Sequence, residues 1–261
     1  MGKPNRRKAR TAARLFRFDR SFDRRFVAGV DEAGRGSLAG PLVAGGVLID
    51  LERIGTRERR ALARLDDSKQ KTPEEREELF PAVIRAAACV SVAVRSVRAI
   101  DTRGLHVSNL NALADCMRSL DPTGAICLVD GFPLPECEIE HTPVVNGDAR
   151  SAAIAAASVI AKVTRDRYMR RAAKLHRKWN FEGNVGYSTP EHRAAILEHG
   201  ISPLHRRSFA SVAYSQLELG GPGEGIDEIG LSEGVADVID IRDAIAAEAD
   251  PDDVEAIAGN A

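Results

Sequence analysis

Carboxylates recur at the ends of apolar runs in this chain, and that recurrence is what points to chemistry. Residues 27–30 (VAGV) read as a short buried strand that ends on Asp31 and Glu32, with Arg35 between Gly34 and Gly36 directly afterwards. Residues 125–129 (AICLV) are a second run of this kind, ending on Asp130 and Gly131. Asp148 follows Gly147 shortly before a third apolar stretch, 152–162 (AAIAAASVIAK). A carboxylate at the end of a core strand is costly to bury unless a cation or hydrogen bonds compensate it. Taken singly, Asp31 reads equally well as a turn cap with Glu32 solvated, and Asp148 as a helix-capping acid. Taken together they read as arms of one site, because strand ends on one side of an open α/β sheet share a crevice.

The elements that must position these acids alternate between strand and helix patterns. Residues 42–49 (LVAGGVLI) are an apolar run that pairs naturally with 27–30. Residues 57–64 form a charged helical segment, and a polar loop with Asp67, Ser68 and Lys69 follows. Thr72 and Pro73 are a helix start, N-cap and first helical residue, for a helix to about Ala88. Residues 89–97 alternate as a strand, and Ser108 is expected to cap a helix through Leu120. Ser151 opens a long helix to about His176, apolar almost all round in its first half and therefore buried. A loop carrying Gly186, Tyr187, Ser188 and Thr189 leads to a short helix over 191–198. His192, His199 and His205 show no ligand spacing and read as surface or loop histidines, while His205-Arg206-Arg207 can meet phosphate.

A net charge of −1 hides strong segregation. Residues 1–25 carry net +8, residues 218–261 net −12, and the body between them net +3. The expected organisation is a basic flexible arm over 1–25 with room for a short helix, a catalytic domain over 26–217, and an acidic disordered tail over 218–261. A basic arm on a mildly basic body suits a polyanion partner. The four cysteines, Cys89, Cys116, Cys127 and Cys137, lack zinc spacing and read as buried, reduced thiols. There is no secretory h-region and no apolar run long enough for a membrane, so a cytoplasmic protein is expected.

In order along the chain stand Asp31-Glu32-Ala33-Gly34-Arg35-Gly36, Asp67-Ser68-Lys69, Val129-Asp130-Gly131, Gly147-Asp148 and the segment 157–166 (ASVIAKVTRD). Gly186-Tyr187-Ser188-Thr189 and His205-Arg206-Arg207-Ser208-Phe209 complete the series. From about Phe26 to Ser211 this resembles bacterial ribonuclease HII, the type 2 ribonuclease H. The resemblance implies an α/β ribonuclease-H-like fold: a central mixed sheet flanked by helices, with a helical C-terminal portion. It implies cleavage of the RNA strand of RNA–DNA hybrids and of single ribonucleotides in duplex DNA, leaving 3′-hydroxyl and 5′-phosphate ends. That activity belongs to replication and ribonucleotide excision repair. Carried over by position, Asp31, Glu32, Asp130 and Asp148 would be the catalytic, metal-binding acids. Gly34, Arg35, Gly36 and Tyr187 would read the RNA–DNA junction, and Lys69 would meet phosphate. Ser188 stands where the family often has proline, which alters loop stiffness and leaves Tyr187 in place.

Oxygen-only ligands suit Mg²⁺ or Mn²⁺, and two such ions permit phosphodiester hydrolysis without a His/Ser or His/Cys pair. Neighbouring strand residues point to opposite faces, so Asp31 and Glu32 share a site only if the strand is already turning at Glu32. Selectivity needs something that feels the 2′-hydroxyl. Glycines let backbone approach the sugar, and Tyr187 can stack on the neighbouring deoxyribose. The bland readings are an ordinary tight turn for the glycines, a half-buried aromatic for Tyr187, and solvated lysines for Lys69 and Lys162, although Lys162 can also pair with a site carboxylate. A catalytically silent nucleic-acid-binding protein is the competing class. Gln216-Leu217-Glu218-Leu219 resembles the start of a sliding-clamp-binding peptide, with Gly220 in place of the aromatic. A monomer is expected.

Overall fold

The computed structural model describes residues 6–62, 65 and 71–209. Its framework is one mixed sheet in the order β3-β2-β1-β4-β5. Strand β1 (Phe26–Ala33) runs antiparallel to β2 (Leu42–Asp50) and parallel to β4 (Ile126–Asp130). Strand β3 (Cys89–Arg95) pairs antiparallel with β2, and β5 (Thr142–Val144) pairs parallel with β4. The expected pairing of 27–30 with 42–49 is present in register, with Val27 opposite Ile49 and Val30 opposite Gly46.

Alternation along the central strands splits the core into two layers. Val27, Val47, Ile49 and Leu128 face helices α3 (Pro73–Ala86) and α6 (Ala152–Leu175). Ala28, Val30, Leu42, Ala44 and Val129 face helix α5 (Leu105–Ser119). Helix α6 lies unusually close to the sheet. A Cβ on Gly29 would overlap the Ala153 backbone, and one on Gly45 would overlap the Ala157 carbonyl. Its alanine-rich first half is buried as the sequence requires, and the Ser151 side chain caps it by accepting from Ile154 N–H.

Smaller elements complete the chain. Helix α2 (Thr56–Ala61) overlaps the charged segment expected over 57–64. Thr72 caps α3 reciprocally with Glu75: the Thr72 hydroxyl accepts from Glu75 N–H (3.2 Å) and the Glu75 carboxylate from Thr72 N–H (3.3 Å). Ser108 is not a cap. It is buried one turn inside α5, which starts after Gly104 at the end of helix α4 (Val97–Arg103). Helices α7 (Phe181–Asn184) and α8 (Pro190–His199) form the C-terminal portion. All four cysteines are free thiols; Cys116 and Cys127 are buried, whereas Cys89 and Cys137 are only half-buried. No helix among the described residues is long and apolar enough to cross a membrane.

The N-terminal segment differs from a flexible arm. Arg6–Arg20 is a helix, α1, which buries Leu15 and Phe16 in the α6 layer. Leu15 and Phe16 are set among arginines, so by composition the segment reads as a solvated basic arm. Asp19 is fully buried, and its Oδ2 accepts from Ala153 N–H (3.1 Å) in the first turn of α6. Arg14 donates to the Ala149 carbonyl (3.0 Å). Lys69, the 216–219 peptide and the acidic tail lie outside the described residues.

Burial pushes the Asp19 carboxyl up to about 6 from an ordinary 3.8. Between those values the folded protein holds a proton that the unfolded chain has released, so stability falls as pH rises through that window. Asp19→Asn keeps an acceptor for Ala153 N–H and removes the titration. Chemical denaturation from about pH 4 to pH 7 should show the variant gaining roughly 2 kcal/mol on the wild type. A pH-independent difference would detach Asp19 from that slope.

Candidate active site

The site forms where neighbouring parallel strands stop at different heights. Pairing of β1 with β4 ends at Val30 and Val129, and each strand's next residue is an acid, Asp31 and Asp130. Pairing of β1 with β2 continues through Glu32 opposite Ala44 and Ala33 opposite Val43. The strand therefore does not turn at Glu32, as sharing a site was expected to require. Asp31 continues the face of Val27 and Gly29 toward α6, where the Ser158 side chain hydrogen-bonds to it. Glu32 continues the face of Ala28 and Val30 toward α5, beside His106, Asn109 and Leu113. The two acids meet around the open end of β4, where both line a cleft of about 490 Å³ together with Asp130.

Electrostatically the three acids are one group. Asp31 is only 6% exposed, and its carboxyl is held well above the usual range by burial first, then by the charges of Asp130 and Glu32. Burial and Asp130 also raise Glu32, against a lowering by Arg35, whose Nη1 lies 3.4 Å from Glu32 Oε1. Asp130 Oδ1 accepts from Gly147 N–H at 2.6 Å. Asp148, the next residue, is buried in the short turn Gly147–Ala149 and is absent from the residues lining the cleft. Among the described residues no three His, Cys, Asp or Glu side chains already close on one point that an ion would fill. The donor chemistry nevertheless fits a hard divalent cation. Carboxyl oxygens crowd a desolvated cleft where their charges oppose ionisation, and a cation there removes the repulsion.

The rest of the wall is cationic and aromatic. Lys162 and Arg76 line the cleft from α6 and α3, and Asp166 holds both, at 2.7 Å and 3.7 Å. Lys162 thus pairs with a carboxylate outside the acid group that the sequence singled out. Tyr187 is half-buried, with Lys162 Nζ 4.7 Å and Arg165 Cζ 5.1 Å from its ring centroid. Gly34, Arg35 and Gly36 form a second rim of the cleft. Gly34 has φ +92°, and any side chain there would strike the Arg165 side chain. Gly36 is exposed with open space around it, so packing does not demand a glycine there.

Two buried arginines hold these rims, and neither was singled out from the sequence for that role. Arg165 donates to the carbonyls of Pro41, Val185 and Ala39 (3.0, 2.9 and 2.9 Å) and to Ser37 Oγ (2.7 Å). Arg206 donates to the carbonyls of Gly40, Pro41 and Arg35. Both are fully buried, so the expectation that His205-Arg206-Arg207 meets phosphate fails for Arg206; only Arg207 is exposed. His192 and His205 are likewise buried rather than surface histidines. One signal for the α6 residues was available: polar side chains at 158, 162, 165 and 166 interrupt an apolar helix at helical spacing.

A mixed sheet whose adjacent parallel strands end on acids, with a long buried helix across one face, defines a nuclease of the ribonuclease H class. The family model for ribonuclease HII matches residues 28–212. The ribonuclease HII of Geobacillus kaustophilus is 43% identical over 188 residues, 72% of this chain and 69% of that protein. That of Rhodococcus opacus is 45% identical over 187 residues, 72% of this chain and 80% of that one. Among solved structures, ribonuclease H2 from Pyrococcus horikoshii superposes with a TM-score of 0.62 at 28% identity, covering 74% of this chain and 99% of its own. A PCNA complex of ribonuclease HII from Archaeoglobus fulgidus gives 0.60 at 27% identity, covering 72% and 95%. The chain belongs to the ribonuclease HII family. It is accordingly an endoribonuclease of RNA–DNA hybrids, in an enzyme class that depends on divalent metal ions.

Arg165→Lys tests the loop anchor. A lysine cannot reproduce four donors in a planar fork, so carbonyls are left unpaired at about 1–3 kcal/mol each. A Tm lower by roughly 6–12 °C, from about 3 kcal/mol in a domain of this size, is expected in thermal unfolding. A Tm within about 2 °C of wild type would show that the loops hold without Arg165.

Proposed function

We propose that this cleft cuts the RNA strand of RNA–DNA hybrids and cuts at single ribonucleotides embedded in duplex DNA, leaving 3′-hydroxyl and 5′-phosphate ends. The observation that carries this reading is the meeting of Asp31, Glu32 and Asp130 in one desolvated cleft with Tyr187 and the Gly34–Gly36 turn on its rims. Asp31, Glu32 and Asp130 would hold Mg²⁺ or Mn²⁺, with Asp148 as the fourth carboxylate beside the Gly147 amide that grips Asp130. Two such ions, when bound, supply Lewis acidity for the attacking water and for the departing 3′ oxygen.

This chain's own residues do the rest. Ser158 orients the Asp31 carboxyl, and Gly147 N–H orients that of Asp130, so each presents a fixed oxygen to the cleft. Arg35 sits exposed between its glycines, where it can hold a flanking phosphate and release Glu32. The backbone of Gly34–Gly36 can approach a 2′-hydroxyl, and Tyr187 stacks on the next sugar, where an added hydroxyl would clash. Lys69 would add a phosphate contact. A sliding clamp is proposed as partner of 216–219, in line with the PCNA complex of the Archaeoglobus fulgidus relative. The protein would act as a cytoplasmic monomer.

Cleavage mapping on a duplex with one embedded ribonucleotide tests the reading. One internal cut that needs Mg²⁺ or Mn²⁺ and stops with chelator is expected; an inactive wild type would favour the silent binding protein. Asp31→Asn and Asp130→Asn should each lower kcat by on the order of 10³ or more while hybrid affinity stays within about threefold. Wild-type-like turnover would remove that residue from the site. Tyr187→Ala should lower cutting at the single ribonucleotide by roughly tenfold more than cutting of an all-RNA strand. An equal loss on both would deny Tyr187 a part in reading the junction.

A further inference from the structure

Behind Tyr187 lies a pair of buried histidines that the catalytic reading does not use. His192 and His205 are 0% and 1% exposed, with their Nε2 atoms 3.1 Å apart. Phe181 packs against both rings, at centroid distances of 5.5 and 5.7 Å. The outer ends of the pair fix its protons. His205 Nδ1 lies 2.8 Å from both the Ser202 backbone nitrogen and Ser202 Oγ; the amide N–H only donates, and the hydroxyl can turn its own proton toward the same lone pair. His205 therefore carries its proton on Nε2 and donates it to His192. At the far end His192 Nδ1 lies 2.8 Å from the Tyr187 carbonyl, which only accepts. His192 therefore carries its proton on Nδ1 and accepts on Nε2. Both ends dictate the same polarity independently: Ser202 N–H to His205 to His192 to the Tyr187 carbonyl, with each ring neutral.

The residue after His205 is Arg206, which donates to the carbonyls of Arg35, Gly40 and Pro41. One short segment, 202–206, thus grips both rims of the cleft. His205 reaches the Tyr187 rim through His192, and Arg206 reaches the glycine rim directly. The rims also join each other, since Leu38 N–H donates to the Gly186 carbonyl at 2.9 Å.

We propose that His192 and His205 are positioning residues for junction recognition: a neutral, one-way hydrogen-bond relay sets Tyr187 against the Gly34–Gly36 turn, with segment 202–206 as common reference. The proposal rests on Tyr187 reading the junction. Its closing experiment therefore has two arms.

The first arm is ¹⁵N NMR of the histidine side chains in the wild-type full chain, which needs no substrate. The Nδ1–H form of His192 and the Nε2–H form of His205 are expected, and either opposite tautomer would overturn the relay. The second arm compares cleavage at a single ribonucleotide with cleavage of an all-RNA strand. His205→Phe removes the donor and should reduce the first by on the order of tenfold more than the second. His205→Gln restores an N–H at the Nε2 position and should recover most of that selectivity. Added to Tyr187→Ala, His205→Phe should change the ratio little further, because both act through one side chain. Equal losses on the two substrates would mark the pair as structural only. Should His205→Phe fail to fold, the His205→Gln ratio and the wild-type tautomers decide. A wild type with the expected tautomers but no selectivity lost in Tyr187→Ala would overturn the reading of Tyr187 and the positioning role, leaving only a structural relay.

Discussion

The site depends on how closely α6 approaches the sheet. With no Cβ on Gly29 or Gly45, the helix backbone rests almost on β1 and β2. That contact puts Ser158 within reach of Asp31 and places Lys162 and Arg165 over Tyr187. A side chain at either glycine would push the helix outward by an ångström or more, as close-packed interiors cannot absorb the volume locally. The acids, the rims and the aromatic would then lose their common support at once. Alanine-rich composition in the first half of α6 is the matching half of the same arrangement, because only small side chains fit between helix and sheet.

Charge in the cleft is arranged in two layers. The inner layer is three carboxyls, and burial together with the Asp130 charge holds those of Asp31 and Glu32 above their usual range. Around it stand Arg76, Lys162 and Arg35, of which the first two are already engaged by Asp166 and the third by Glu32. The cations therefore soften the inner repulsion without neutralising it, which leaves the acids with an unmet demand for positive charge. Arg165 and Arg206 stand apart from this balance. They donate to carbonyls and one hydroxyl, so they work as rigid brackets.

Much of this was legible in the residues themselves. The strand runs before Asp31 and Asp130, the Thr72 cap, the long helix from Ser151 and its buried first half all follow from local pattern, and each is present. What escaped depends on contacts between residues far apart in the chain. Arg165 meets Ser37 across a separation of 128 residues, and Arg206 meets Gly40 across 166. Periodicity can mark Arg165 as a polar break in an apolar helix, but it cannot name partners that are backbone carbonyls of a distant loop. His192 and His205 looked solvated because their neighbours in sequence are polar, whereas their neighbours in space are Phe181 and Trp179. The geometry of Glu32 failed for another reason: period-2 alternation was right, but a strand that outlasts its neighbour lets both of its faces open on one cleft.

Helix α1 carries a consequence for the birth of the protein. Its carboxylate Asp19 waits for Ala153, which lies 134 residues later, and Arg14 waits for Ala149. At ordinary ribosomal speeds of about 5–20 residues per second, that gap is on the order of ten seconds. Throughout that interval the Asp19 and Arg14 contacts to the start of α6 cannot form, so α1 settles against α6 long after its own synthesis. Docking of α1 therefore reports that the first turn of α6, and with it the Gly147 turn beside Asp130, has formed.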